Sequence, residues 1–242
     1  MTNKELLEKV KKLQILFQEG KIPTLAQHEL HPELDTSSKE NYLYFTLAPA
    51  LNFQRSSPAL WIAALKTYED PQTRYLFTPV EVGKRSREEI QKDLLKHKLS
   101  LQPNKHTDIW ITLSRTFSNL YGGDPRTMLH EHDWDVLRIH TLMQQERKKD
   151  FPYLSGVKMA NYWLYILSHY TDATFKNMHE ISIIPDTHVM QSSVQLGLTP
   201  TLGNPQEVAR LWKELLLDSD ITPVQMHPVL WNWSRNNFLP EV

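Results

Sequence analysis

Residues 151–198 read FPYLSGVKMANYWLYILSHYTDATFKNMHEISIIPDTHVMQSSVQLGL, a helix, a connector and a second helix in one run. In the first helix Val157, Ala160, Leu164 and Leu167 recur at helical spacing. Lys158 interrupts an otherwise mostly uncharged surface that includes Met159, Tyr162 and Trp163. In the second, Pro185 requires Ile184 to be extended and places Asp186 at the N-cap of a helix running through Val189, Val194 and Leu196. One cation and one carboxylate thus each sit at a helix start.

The same punctuation extends in both directions. Residues 3–19 form an amphipathic helix with Leu6, Val10, Leu13 and Phe17 on one stripe, packed on the outside. Ile22 to Asp35, with two prolines and two histidines, reads as a loop. A nearly all-apolar helix capped by Ser37 or Ser38 follows through Tyr42, Phe45 and Leu47, and Pro49 ends or kinks it. Ser57-Pro58 restarts a helix through Trp61, Ala64 and Tyr68, whereas 71–83 reads as a turn with a short extended piece. Ser86 caps a charged helix to about Lys98, and after a loop at Pro103 a helix runs from Thr107 to Leu120, ended by Gly122-Gly123-Asp124-Pro125. A short helical turn and a helix opened by Asp133 lead into Arg147, Lys148 and Lys149, with a stop at Phe151-Pro152. Asn204-Pro205 and Thr222-Pro223 start the last two helices. With no alternating strand pattern and no repeat, the chain is expected to be all-α.

At 242 residues and 40% hydrophobic, the chain is large enough for one domain or two modest lobes with a real core. The absence of cysteine excludes disulfides, thiolate zinc and iron–sulfur clusters. The segment Met1 to Gln18 mixes lysines with glutamates, and no 18-residue apolar run occurs, so a cytoplasmic protein with no membrane partner is expected. A net charge of -1 argues against coating nucleic acid by charge alone. Local basic clusters remain at Lys84, Arg85 and Arg87 and at Arg147, Lys148 and Lys149, either DNA contacts or solvated helix ends.

Leu154-Ser155-Gly156, Lys158-Met159-Ala160 and Pro185-Asp186-Thr187-His188-Val189 with Leu196-Gly197 resemble the helix-hairpin-helix DNA base-excision glycosylases, the archaeal 8-oxoguanine glycosylase/lyase branch above all. The common hairpin reads Leu-Pro-Gly-Val-Gly-Pro-Lys-Thr-Ala; here the second glycine and its neighbour are missing between Val157 and Lys158. The resemblance covers about a fifth of the chain. It implies a two-lobed helical fold, one lobe about 54–170 and the other about 1–53 with 171–242, with an active cleft between them. It further implies a cofactor-free monomer acting on damaged double-stranded DNA, with Lys158 as nucleophile and Asp186 as its partner.

The residues suit that chemistry. A carboxylate aimed at the sugar stabilises an oxocarbenium-like state, and the free N–H groups and dipole of a helix start favour negative charge at Asp186; a plain N-cap is the alternative. Lys158 attacks only when unprotonated, which burial beside Tyr162 or Trp163 would favour; the alternative is a lysine reaching for water. Gly156 offers hairpin N–H groups, His188 is a wall or phosphate contact or a satisfied polar group, and the aromatics either stack a flipped base or fill cores. Ser155-x-x-Lys158 also matches serine acyl-enzymes, but no Ser-Asp-Asn or Lys-Thr-Gly follows. His130-Glu131-His132-Asp133-Trp134-Asp135 packs potential ligands closely but lacks metal-site spacing, so no metal is expected. The function expected is a DNA N-glycosylase with AP-lyase activity on an oxidised purine. The competing readings are a nucleotide or modified-nucleoside N-glycosidase, needing Asp186 but no lysine nucleophile, and a non-catalytic helical module binding nucleic acid or protein.

Overall fold

The computed structural model describes residues 2–24 and 29–242. The middle of the loop expected over 22–35 lies outside the described residues. Among those described the fold is all-α, with twelve α-helices and one isolated β-bridge, Asp135 to Lys176. The chain divides into two compact units, one formed by Met1–Ala26 with Asn177–Val242 and the other by Gln27–Lys176. The boundaries differ from the expected lobes, because residues from 29 to 53 belong to the larger unit.

The smaller unit contains α1 (Asn3–Gln18), α10 (Thr187–Leu196), α11 (Pro205–Leu216) and α12 (Met226–Arg235). The α1 start is closed reciprocally, since Thr2 accepts the Glu5 N–H and Glu5 accepts that of Thr2. Its Leu6, Val10 and Leu13 are buried in one core with Val189, Leu196, Val208, Trp212, Leu230 and Trp233, while Lys4, Lys11 and Lys12 on the other side are exposed, so α1 closes the core with its apolar stripe from the outside. α10 and α12 are stitched by Ser192, whose Oγ donates to the Leu230 carbonyl at 2.8 Å. Gly197 ends α10 at φ 80°, a left-handed turn that glycine adopts without a Cβ clash. Pro205 follows the Asn204 cap, while Pro223 opens a 3-10 turn before α12.

The larger unit begins with α2 (Lys39–Leu47), capped by Ser38 Oγ accepting the Asn41 N–H, and every residue from Asn41 to Leu47 is buried. Asn41 is tied to the Tyr170 carbonyl of α9 (Val157–Tyr170), which is why this segment joins the larger unit. α3 (Ser57–Glu69) starts one residue earlier than expected, after Ser56, with Pro58 inside its first turn. Residues 71–83, expected to be a turn with an extended piece, form a 3-10 turn Arg74–Phe77 and the short helix α4 (Pro79–Val82); burial of Leu76, Phe77 and Val82 fixes them there. α5 (Arg87–Lys96) has the Ser86 cap. α6 (Pro103–Tyr121) takes Pro103 into its first turn rather than leaving it in a loop. α7 (Pro125–Glu131) is capped by Asp124.

Asp133 does not open the next helix. It and Trp134 have φ of 59° and 53°, and α8 (Val136–Thr141) is capped instead by Asp135, whose Oδ1 accepts the Leu137 N–H at 2.8 Å. Asp133 pairs with Lys176 at 2.7 Å. α8 then breaks into a π-turn Leu142–Glu146 and a 3-10 turn Lys148–Asp150, so no continuous helix carries the basic triplet. The core is aromatic: Trp61, Trp110, Trp163, Tyr44, Phe45 and Phe117 are fully buried, and Tyr44 stacks on Phe77 at 5.3 Å. No helix among the described residues is long and apolar enough to cross a membrane.

Candidate functional site

The α9 helix opens without a side-chain cap, its N-cap being Gly156, and Gly156, Val157, Lys158 and Met159 all line a pocket of 680 Å³ in the larger unit. Lys148 lines the same pocket, as do Asn52, Phe53 and Arg55 from the chain entering α3. No motif or spacing in the sequence marks these last three as site residues. Both lips hold strained backbone: Gln54 has φ 52° and Tyr153 φ 68°, left-handed conformations that side chains bearing a Cβ rarely adopt. Tyr153 is held there by its hydroxyl, which donates to the Asn52 carbonyl, and by its ring, edge-on to Phe53 at 5.7 Å. Lys105 covers the Phe53 ring at 3.8 Å. Arg55 donates to the Leu99 carbonyl at 3.0 Å and to that of Ala59 at 2.6 Å, fixing the loop from below.

Lys158 is exposed, which corrects the expectation of burial beside Tyr162 or Trp163. Val157, expected on the buried stripe, is 66% exposed, because the first turn of α9 projects past the core. Trp163 is fully buried and donates to Thr46 Oγ1 at 3.1 Å, which makes it a core residue rather than a contact for substrate. Tyr162 lies one turn beyond Lys158 on the same helical face, followed by Tyr165 and His169 at three- and four-residue steps.

That face carries a network the sequence did not reveal. The Tyr162 hydroxyl donates to Glu29 Oε1 at 3.1 Å and accepts from Trp61 Nε1 at 3.1 Å. With its own proton committed to the carboxylate, it accepts from Ser57 Oγ at 2.9 Å. Tyr170 donates to the other oxygen, Glu29 Oε2, at 2.9 Å. Burial, and then the Glu29 charge, push the Tyr162, Tyr165 and Tyr170 phenols well above their usual range, so they serve as neutral donors. Burial pushes the His169 imidazole down, Glu29 partly opposing it. The only signal for Glu29 lay in the unpatterned loop, where a single acidic residue gave no reason to connect it to a helix far along the chain.

Of the basic triplet, Arg147 is paired with Asp150 at 2.7 Å, Lys148 reaches the pocket, and Lys149 is exposed. In the smaller unit Asp186 caps α10, its Oδ1 accepting the Val189 N–H at 2.9 Å, while Oδ2 takes no hydrogen bond among the described residues. His188 Nδ1 lies 3.1 Å from Ser234 Oγ; because that hydroxyl donates to Gln191 Oε1, the imidazole is the donor. The His188 ring sits edge-on to Trp231 at 5.4 Å, and the Arg235 guanidinium covers the same indole at 4.7 Å. His188 is therefore a satisfied group joining α10 to α12.

In the acidic, histidine-rich run, His132 Nδ1 donates to the Met128 carbonyl at 2.8 Å and Asp133 is engaged by Lys176. No group of three or more His, Cys, Asp or Glu among the described residues is arranged to hold a metal ion. No protein-family model matches this chain, nor does any curated protein match it significantly.

Proposed function

We propose that the chain is a DNA N-glycosylase with AP-lyase activity, with Lys158 as the nucleophile and Asp186 as the carboxylate that stabilises positive charge on the sugar. The observation that carries this reading is an exposed lysine in the uncapped first turn of α9, on the rim of a 680 Å³ pocket walled by Lys148 and aromatic side chains. Its resemblance to the helix-hairpin-helix glycosylases at Leu154-Ser155-Gly156, Lys158-Met159-Ala160 and Pro185-Asp186 supplies the reaction. After loss of its proton the Lys158 amine attacks C1′ and expels the base, the sugar opens to a Schiff base, and elimination releases the 3′ phosphate. Asp186 is suited to its part because one oxygen is committed to the helix start while the other is available. The free first-turn N–H groups of α9 and Lys148 suit a backbone phosphate. An oxidised purine is the base class proposed, and duplex DNA the partner.

The test is borohydride trapping against duplexes bearing different base lesions. A covalent adduct with one oxidised-purine duplex, lost in Lys158→Ala, is expected. Base release that persists in Lys158→Ala without strand cleavage would assign the chain instead to hydrolytic N-glycosidases that need only Asp186. Absence of both adduct and base release across the panel would overturn the enzymatic reading.

A further inference from the structure

On the larger unit a second groove of 610 Å³ lies between α4, α5 and α6, lined by Arg85, Arg87, Asp108, Ser114 and Arg115 among others. Three guanidinium groups face one carboxylate there, in a chain whose net charge is -1. The one carboxylate is already used, since Asp108 Oδ1 accepts from Arg87 Nη2 at 2.8 Å. Arg85 is steadied by the Tyr75 ring at 4.9 Å and reaches Glu89 only at 3.8 Å. Arg115 is exposed and makes no ion pair among the described residues.

Ser114 lies among these guanidiniums on the wall of the groove. It is 1% exposed and lines the groove, yet its hydroxyl has no hydrogen-bond partner among the described residues. Other helical hydroxyls in this chain find an acceptor: Thr67 donates to the Ala63 carbonyl at 2.7 Å, Thr107 to that of Pro103 at 2.6 Å and Ser193 to that of Val189 at 2.7 Å on the preceding turn, while Thr116 reaches the Asp150 carbonyl at 2.9 Å. Ser114 does not, and a buried donor without an acceptor is destabilising unless a ligand or water supplies one. Thr112, Ser118 and Asn119 add further donors along the same face of α6.

We propose that this groove binds a phosphate-bearing ligand, with the Arg85 and Arg115 guanidiniums and the Ser114 hydroxyl as its donors. The donor set exceeds what the two oxygens of a carboxylate accept, whereas a phosphate presents three oxygens and up to two charges, which planar guanidiniums match in pairs. The volume falls within the range of about 300–1,000 Å³ typical of small-ligand sites, which leaves room for the group the phosphate is attached to. The site is separate from Lys158, so it stands whether or not the glycosylase reading does.

The experiment is isothermal titration of the full chain with pyrophosphate, in the parent and in Arg115→Gln, Ser114→Ala and Lys158→Ala. Binding that weakens about tenfold or more in Arg115→Gln, falls in Ser114→Ala and is unchanged in Lys158→Ala is expected. Ser114→Ala removes an unsatisfied hydroxyl and should fold at least as well as the parent, which a thermal melt checks. Competition by an undamaged duplex, weakened by the same two variants, would identify the phosphate as one of a DNA backbone; lack of competition would identify a free phosphorylated molecule. No binding at millimolar pyrophosphate, or equal binding by all four proteins, overturns the proposal.

Discussion

The Tyr162 hydroxyl donates to the Glu29 carboxylate at 3.1 Å, one helical turn along α9 from Lys158. Glu29 thereby fixes the face of the helix whose first turn bears the exposed lysine, and Trp61 and Ser57 fix the phenol from its other side. Removing that hydroxyl leaves three polar groups short of a partner at once. Tyr162→Phe should destabilise the protein by about 1–3 kcal/mol, read from urea unfolding. The same change in a Glu29→Gln background should cost less, because the two residues share the interaction. Additive effects in the double variant would show that the pair is not coupled.

Lys158→Ala should leave stability within about 0.5 kcal/mol of the parent, since the side chain is exposed, while abolishing the covalent adduct. Trp163→Ala should cost about 3–5 kcal/mol through the cavity it leaves. A thermal melt of each variant separates the two roles, and a strongly destabilised Lys158→Ala would place that lysine in the packing instead.

At Asp186 the cap and the proposed chemistry are separable. Asn accepts the Val189 N–H as Asp does, so Asp186→Asn should melt close to the parent yet release base more slowly. Asp186→Ala should additionally lose about 0.5–2 kcal/mol of stability. If single-turnover base release is as fast in Asp186→Asn as in the parent, the carboxylate is only a cap.

His106 is fully buried, and its Nδ1 accepts the Leu101 N–H at 3.2 Å. Burial, aided by the Arg55 and Lys105 charges, pushes its imidazole down to about 4. Because the folded value is the lower one, the unfolded chain binds the proton first as pH falls. The stabilisation is complete above about 6.5, the ordinary value, and is lost progressively on acidification towards about 4. His106→Asn keeps an acceptor for Leu101 and removes the titration, so its stability should vary less with pH across that window. Equal slopes for parent and variant in urea titrations would contradict this.

Within the basic triplet, Arg147 is held by Asp150 while Lys148 lines the pocket, so the three should not contribute equally. Lys148→Gln should weaken duplex binding more than Arg147→Gln, and equally for damaged and undamaged DNA, because phosphate contacts carry no base information. The slope of log affinity against log salt should fall by about one for each phosphate that is no longer neutralised. Unchanged affinity at every salt concentration in the triple glutamine variant would make the cluster a solvated turn.

Sequence alone determined the all-α character and most helix starts, because those rest on interactions spanning three or four residues. Ser38, Ser86, Asp186 and Asn204 each cap a helix through a hydrogen bond to a nearby N–H. Local rules failed where tertiary contacts outweighed them. Asp133 looks like a cap but is paired with Lys176, leaving Asp135 to open α8, and the segment 71–83 becomes helical because Leu76, Phe77 and Val82 are buried. The unit boundaries shifted for the same reason, since Asn41 reaches the Tyr170 carbonyl across the larger unit. Lys158 was legible as an unusual cation at a helix start, but its exposure depends on how far α9 projects past the core. Glu29 was not legible at all: its carboxylate joins Tyr162 and Tyr170, more than a hundred positions away, and such a pairing leaves no periodicity or spacing for a single sequence to display.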